Sequence, residues 1–274
     1  MTTVRSSVIA GTWYPGTKGE LQRTVQDYLN RAELVELGGE LVALISPHAG
    51  YIYSGQVAAY AYKQVEGASY DVVAVISPVH RMPMGTFAVT AADAYETPLG
   101  LVHLDQELVA ALGQKIKVTR VGFDGEHSLE IQLPFLQVAL GEFRLLPVML
   151  GDQSLPVCRQ LGAALAKVLE GKKALLVAST DLSHFYPYRR AVQLDQVMLS
   201  YIDNFDPEGL AQALAAERTE ACGGGPVIAV MLAAQALGAN RGRVLHYANS
   251  GDVTGDHSQV VGYVAGALYR TLQS

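Results

Sequence analysis

Short apolar runs alternate along the chain with longer segments in which apolar residues recur at helical spacing. The runs are rich in β-branched residues, which is typical of strands buried on both faces of a sheet. They predict strands at 41–45, 72–76, 144–150, 174–178, 244–248 and 259–265. The helical spacing predicts helices at 17–33, 54–65, 106–112, 129–140, 156–169 and 227–237, and a longer helical stretch at 193–216 that is interrupted near Asp206.

The order of these elements predicts the fold class. Strand, helix and strand follow one another between residues 42 and 76, and such a βαβ crossover makes two parallel strands neighbours or near-neighbours. Helix and strand alternate to the end, and no linker rich in Pro, Gly or Ser divides the chain. We therefore predict one α/β domain over residues 1–274, a three-layer α/β/α sandwich whose central sheet is mostly parallel or mixed.

The composition narrows the classes of function. Hydrophobic residues make up 50% of the chain and charged residues 17%, which excludes a disordered chain and a coiled coil. The formal net charge is −6, so binding to nucleic acid or to an anionic membrane surface is not expected. No apolar run reaches the roughly 20 residues of a membrane-spanning helix, and no export signal is evident. The two cysteines form no disulfide framework. We therefore expect a cytoplasmic protein.

Three predicted strands run directly into loops that carry a histidine. His48, His80 and His184 follow the strands that end at residues 45, 76 and 178. Sites in open α/β sheets form at the carboxyl ends of the strands, where the loops converge. We therefore expect the three imidazoles on one rim of the sheet, with at least two of them sharing a metal ion or a substrate.

A thiol and a carboxylate extend this set. Cys222-Gly-Gly-Gly-Pro226 directly precedes a predicted helix, and a helix N-terminus lowers the pKa of a thiol, which favours the thiolate as a metal ligand or nucleophile. Two imidazoles and one thiolate suit iron, copper or zinc rather than magnesium or calcium. Asp181 is an alternative third ligand, and it could equally form an acid/base pair with His184, three residues further on.

His127 and Glu130 stand three residues apart near the start of the predicted helix at 129–140. In one interpretation His127 lies on the same rim, and Glu130 fixes the tautomer of its ring. In the other, Glu130 only caps the helix or forms an ion pair. The sequence favours neither.

Five motifs in order resemble the Memo family, whose bacterial and archaeal members are called AmmeMemoRadiSam system protein B. They are Ser-Pro-His48-Ala-Gly-Tyr51, Ser-Pro-Val-His80, His127-Ser-Leu-Glu130-Ile-Gln-Leu-Pro134, Ser-Thr-Asp181-Leu-Ser-His184 and Cys222-Gly-Gly-Gly-Pro226. The similarity extends over nearly the whole chain, from Gly11 to Leu268.

The resemblance implies a fold similar to that of the class III extradiol dioxygenases, non-heme iron enzymes with two His ligands and one Glu ligand. It assigns metal binding to His48, His80 and Cys222, with iron expected first and copper or zinc as alternatives. It places His184 where the dioxygenases keep an acid/base histidine, and Asp181 beside it in the pocket. A cysteine in place of the carboxylate departs from the dioxygenase pattern, because a thiolate changes the redox potential and is itself oxidisable.

The resemblance also implies a radical SAM protein and an AMMECR-domain protein as partners. The leading hypothesis is therefore a metal-dependent redox protein, with an extradiol-type dioxygenase as a further alternative. A different class is a binding module whose pocket, lined by Trp13, Tyr51 and the histidines, holds a peptide or small ligand without turnover. A hydrolase using Cys222 or a strand-end Ser with His184 as base ranks last, because the chain has no Gly-x-Ser-x-Gly elbow.

Overall fold

The computed structural model describes residues 2–271, which form an α/β fold with a large mixed sheet. The strands are β1 (Val4–Arg5), β2 (Gly39–Ser46), β3 (Val72–Pro78), β4 (Phe87–Thr90), β5 (Ala94–Thr97), β6 (Gly100–His103), β7 (Val118–Val121), β8 (Arg144–Leu150), β9 (Ala174–Ser179), β10 (His184–Tyr186), β11 (Arg241–Asn249) and β12 (Val260–Thr271). The helices are α1 (Lys18–Arg31), α2 (Tyr51–Lys63), α3 (Gln106–Gly113), α4 (Leu133–Leu140), α5 (Leu155–Leu169), α6 (Tyr188–Asp203), α7 (Pro207–Ala215), α8 (Gly224–Ala236) and α9 (Ser250–Thr254).

The main sheet runs in the order β10-β12-β2-β9-β3-β8-β4-β7, and β11 also pairs with β12. Its centre, β2-β9-β3-β8, is parallel, while β12 and β4 join it in antiparallel orientation. Ala178 of β9 stands opposite both Ile45 of β2 and Ile76 of β3. The carboxyl ends of these three strands are therefore level with one another at a single edge of the sheet.

Helices cover the sheet, as the predicted three-layer sandwich requires. One group, α1, α2 and α4, packs together, and a second group, α5, α7 and α8, does the same. The central strands are buried along nearly their whole length, because they contribute side chains to the core on both faces. The predicted α/β fold with its mixed central sheet is confirmed.

The sequence predicted the long elements better than the short ones. The helical stretch at 193–216 is two helices, α6 and α7, which meet at Asp206, and a 3-10 turn at Glu130–Gln132 precedes α4. The strands β4, β5, β6 and β7 were missed, since four residues are too few to show a period. The strands β1, β5 and β6 form a separate three-stranded sheet.

Among the helices of residues 2–271, none combines the length and the apolar character that crossing a membrane requires.

Candidate metal centre

The loops after β2, β3 and β9 meet at the level edge of the sheet. They carry His48, His80 and Asp181, two residues beyond the end of each strand. These side chains line a cavity of about 740 Å³ together with Trp13, His127 and His184. Tyr53, Tyr263, Ile52 and Phe185 add apolar surface to the same cavity. The topology thus brings the histidines predicted from three separate loops to one cavity wall.

In this region the side chain of a histidine lies in contact with that of a cysteine. Nε2 of His48 lies 3.0 Å from Sγ of Cys222, and the His48 ring is buried. The backbone of the cysteine is fixed by its neighbour, since Cys222 N–H donates to the carbonyl oxygen of Asp181 at 3.2 Å. Gln153 holds the same loop from outside, donating to the Cys222 carbonyl oxygen at 2.8 Å.

Glycine at position 223 is required for this arrangement. A Cβ atom there would collide with the carbonyl oxygen of Ser179, the last residue of β9, and with the side chain of Thr180. The glycine run therefore allows the loop that carries Cys222 to lie directly against the end of the central sheet. Only a residue without a side chain permits so close an approach of two backbone segments.

The pKa values of the His48 ring and the Cys222 thiol are shifted in opposite directions. Burial and the neighbouring imidazoles of His80 and His127 hold the pKa of His48 well below its ordinary value, so the ring is neutral. Burial, reinforced by the Asp181 carboxylate, raises the pKa of the Cys222 thiol far above its ordinary value. The expected thiolate at a helix N-terminus is therefore wrong for the metal-free protein, because α8 begins only at Gly224 and desolvation dominates.

His80 completes a three-donor group. One ligand atom each from His48, His80 and Cys222 lies within 4.8 Å of the other two. Two ligands of a tetrahedral ion, at bond lengths of about 2.0 Å to nitrogen and about 2.3 Å to sulfur, are about 3.5 Å apart. The spacing of these side chains fits a single ion, and a bound cation would displace the thiol proton.

A second group that could hold an ion overlaps the first. It consists of His80, Glu126 and His127, whose ligand atoms also lie within 4.8 Å of one another. Glu126 is fully buried and was not singled out from the sequence. Its position directly before His127 was the available signal, but one acidic residue in a loop is too common to be informative.

Asp181 is a buried residue that lines the cavity. Its Oδ1 accepts a hydrogen bond from the backbone N–H of His48 at 2.7 Å, so it supports the loop of a predicted ligand. Burial raises the pKa of this carboxyl to about 6. Such a group exchanges its proton near neutral pH.

His184 is half-buried on β10 and faces the same cavity. Its backbone N–H donates to Oε1 of Glu220 at 3.2 Å, and its ring nitrogen Nδ1 lies 3.8 Å from that oxygen. Both predicted proton-transfer residues, His184 and Asp181, therefore border the space beside the three-donor group.

Of the remaining predicted residues, Trp13 and His127 lie on the cavity wall, with ring centroids 4.4 Å apart. Tyr51 does not line the cavity: its ring is buried in the core, and its hydroxyl donates to the carbonyl oxygen of Ile131 at 2.8 Å. The helix α2 begins at Tyr51, which turns this side chain inward, and Tyr53 lies on the cavity wall instead.

Glu130 does not orient His127. Its carboxylate is fully buried and accepts hydrogen bonds from Arg5, from the Ser7 hydroxyl at 2.5 Å and from the Tyr14 hydroxyl at 2.6 Å. These contacts attach the N-terminal segment to the loop before α4, so the ion-pair interpretation is correct. The carboxylate beside His127 is Glu126, with Oε1 3.1 Å from Nδ1.

Comparison with known proteins agrees with this reading of the motifs. The family model described as Memo-like protein matches residues 5–267. A MEMO1 family protein of Nitrosopumilus maritimus is 36% identical, covering 96% of this chain and 98% of the relative. A MEMO1 family protein of Ignicoccus hospitalis is 38% identical, covering 96% and 97%.

A solved structure supports the fold alone. The crystal structure of an uncharacterized protein from Escherichia coli K12 is similar with a TM-score of 0.50 and 18% identity, covering 82% of this chain and 99% of that chain. The near full-length match to the family model, together with relatives at more than a third identity, establishes the family. The chain belongs to the Memo-like protein family.

Proposed function

We propose that this protein binds one transition-metal ion through His48, His80 and Cys222 and performs redox-related chemistry in the adjoining cavity. The observation that carries the proposal is the 3.0 Å approach of Cys222 Sγ to the buried Nε2 of His48, with His80 within 4.8 Å. Two imidazoles and a thiol converging on one point, beside a cavity large enough for a small molecule, form a ligand set with positions left for substrate.

The donor atoms limit the choice of ion. A thiolate with two imidazoles favours iron, copper or zinc over the hard cations, and we propose iron(II) first, with copper or zinc as alternatives. When bound, such an ion supplies Lewis acidity and, for iron or copper, electron-transfer capacity. Because the third donor is a thiolate, we place an extradiol-type dioxygenase behind a redox role that does not open a ring.

The protein's own groups supply the proton transfers. Asp181, whose pKa is raised to about 6 by burial, can hold or release a proton near neutral pH. The half-buried His184 ring faces the same cavity and can exchange protons with solvent. We propose these two residues as acid and base toward a small-molecule or peptide ligand in the cavity.

The test is the metal content of protein purified without oxygen, for the wild type and for His48→Ala, His80→Ala and Cys222→Ala. We expect about one ion per chain in the wild type and a loss of most of it in each variant. Cys158→Ala is the matched control, because Cys158 is buried in α5 and is not part of either candidate ligand group. Unchanged metal in the three variants would refute the proposal.

A second candidate function is ligand binding without turnover. It is favoured by two large apolar side chains at the cavity, Ile52 and Phe185, which are 70% and 66% exposed. Calorimetric titration of a hydrophobic peptide into metal-free wild type and into Ile52→Ser tests it. A binding module would be favoured over an enzyme if the wild type bound the peptide equally tightly with and without metal, and if Ile52→Ser bound it more weakly.

Partners are proposed from the family resemblance. We propose that the protein works with a radical SAM protein and an AMMECR-domain protein, whose reactions would supply or consume its ligand. The test is co-expression of a tagged form with each partner from the same organism. Retention of a partner on the affinity column at a fixed ratio is expected, and its absence under anaerobic conditions would refute the association.

A further inference from the structure

The carboxylate of Glu126 is surrounded by hydrogen-bond donors. Its Oε2 accepts from the backbone N–H groups of His80 at 2.6 Å and Arg81 at 3.3 Å. Its Oε1 accepts from the backbone N–H groups of His127 at 3.0 Å and Ser128 at 3.3 Å. These contacts fix the carboxylate between the loop after β3 and the loop before α4.

Two imidazole rings meet the same oxygen. Nδ1 of His80 lies 3.0 Å from Glu126 Oε1, and Nδ1 of His127 lies 3.1 Å from it. Only the His80 contact has the geometry of a hydrogen bond, because Nδ1 of His127 has no hydrogen-bond partner among the described residues. An ionised carboxylate can only accept hydrogen bonds, so Nδ1 of His80 carries a proton. In the neutral His80 ring the lone pair is then on Nε2. Both histidines line the 740 Å³ cavity.

The tautomer of the buried His48 ring, a proposed ligand, is fixed in the same way by Ser179. The single hydroxyl proton of Ser179 is donated to the carbonyl oxygen of Ser128 at 2.6 Å. Because the Ser179 oxygen can then only accept, His48 Nδ1, 3.0 Å away, is the donor. Its lone pair therefore also lies on Nε2, the atom that faces Cys222.

We propose that Glu126 is a positioning residue that holds His80 in the Nδ1–H tautomer, so that this ring presents an unprotonated Nε2 to the cavity. This inference rests on the proposed metal site, because it gives the tautomer that His80 needs as a ligand. The His127 ring lies beside this group, 4.8 Å from His80 and 5.6 Å from His48 between ring centroids.

Direct binding of the ion by Glu126 is the competing possibility for these three side chains. It would require the carboxylate to give up the hydrogen bond from the His80 ring and to share oxygens that already accept four backbone N–H groups. Carboxylates behind ligating histidines commonly act through the ring instead, and their loss lowers metal affinity by about 10–100-fold.

The first test is a nitrogen-15 NMR spectrum of the histidine rings in the metal-free wild type at neutral pH. The signals of His80 are assigned from the spectrum of His80→Gln. We expect a protonated Nδ1 and an unprotonated Nε2 in this ring. A protonated Nε2 in His80 would overturn the proposal without any variant of Glu126 having to fold.

The second test measures metal affinity by chelator competition in Glu126→Gln, whose amide places a donor where the carboxylate only accepts. We expect about 10–100-fold weaker binding, an unchanged stoichiometry and mixed tautomers at His80. The control is Asp195→Asn, a buried carboxylate that accepts from the Ser183 N–H at 3.0 Å and contacts none of the proposed ligands. It should keep wild-type affinity.

The outcomes separate the two proposals. Unchanged affinity and tautomers in a folded Glu126→Gln would overturn the role of Glu126, and loss of one full equivalent of metal would show direct ligation instead. A wild type that binds no metal would refute the metal site, while the ring spectra of the metal-free protein would still decide the tautomers.

Discussion

Nε2 of His48 and Sγ of Cys222 lie 3.0 Å apart although the two residues are separated by 174 positions in the chain. The contact exists because β2 and β9 are adjacent parallel strands that end level with each other. His48 follows the end of β2, and the loop that carries Cys222 lies against the end of β9 at Ser179. The geometry of the candidate site is therefore a property of the central sheet.

This dependence predicts the effect of a single methyl group at position 223. In Gly223→Ala the new Cβ must displace the Cys222 loop from the Ser179 carbonyl oxygen and Thr180, which moves the thiol away from His48. We expect metal affinity to fall at least about tenfold, by analogy with the loss of a supporting contact around a ligand. Chelator competition measures it.

The matched control is Gly113→Ala. Gly113 is the last residue of α3, and a Cβ there meets no atom within 4 Å. This variant should bind metal as the wild type does. Equal affinity of Gly223→Ala and Gly113→Ala would show that the thiol does not need its observed position.

The histidine positions could be predicted from the sequence because they depend on strand ends, and buried parallel strands leave a strong apolar signal. His48, His80 and His184 reach one cavity for that reason. Glu126 and Ser179 could not be assigned, because their roles depend on pairs of atoms from distant loops. The prediction of a lowered pKa for Cys222 was wrong for a related reason. Burial, which the sequence does not report, raises the pKa of the thiol more than a helix N-terminus could lower it.

The N-terminal segment is predicted to stabilise the site through Arg5. Its guanidinium is buried and contacts Asp124 at 2.7 Å, Glu130, and the carbonyl oxygen of Glu126 at 2.6 Å. In Arg5→Met two buried carboxylates lose their counter-charge, so the free energy of unfolding should fall by about 3–5 kcal/mol. Urea unfolding measures the change.

The control for charge is Arg159→Met. Arg159 pairs with Glu208 at 2.6 Å, but both side chains are largely exposed. Its loss should leave the urea midpoint nearly unchanged, because exposed ion pairs contribute little. If the two arginine variants unfolded at the same urea concentration, the buried network would not support the fold as described.

The raised pKa of Asp181 predicts that the stability of the metal-free protein depends on pH. Its pKa is raised by burial to about 6, so the folded state holds this proton more tightly than the unfolded state, in which the pKa is about 4. The contribution of Asp181 to the stability of the wild type should therefore fall as the pH rises from about 4 to about 6, by up to about 3 kcal/mol. Above that range the loss is complete.

Asp181→Asn keeps an oxygen toward the His48 N–H but cannot ionise. Its free energy of unfolding should exceed that of the wild type near neutral pH, and the difference should vanish below about pH 4. Urea unfolding at a series of pH values measures both curves. Parallel curves for the two proteins would mean that burial does not shift this carboxyl.

The central claim is that one ion is bound by the Cys222 thiolate and the imidazoles of His48 and His80. Titration of the metal-free protein with cobalt(II), followed by absorption spectroscopy, tests it most directly. We predict saturation at about one equivalent, with tetrahedral ligand-field bands and a near-ultraviolet sulfur-to-cobalt charge-transfer band that Cys222→Ser abolishes and Cys158→Ser retains. A wild type that binds cobalt(II) without the charge-transfer band, or a band that survives in Cys222→Ser, would contradict it.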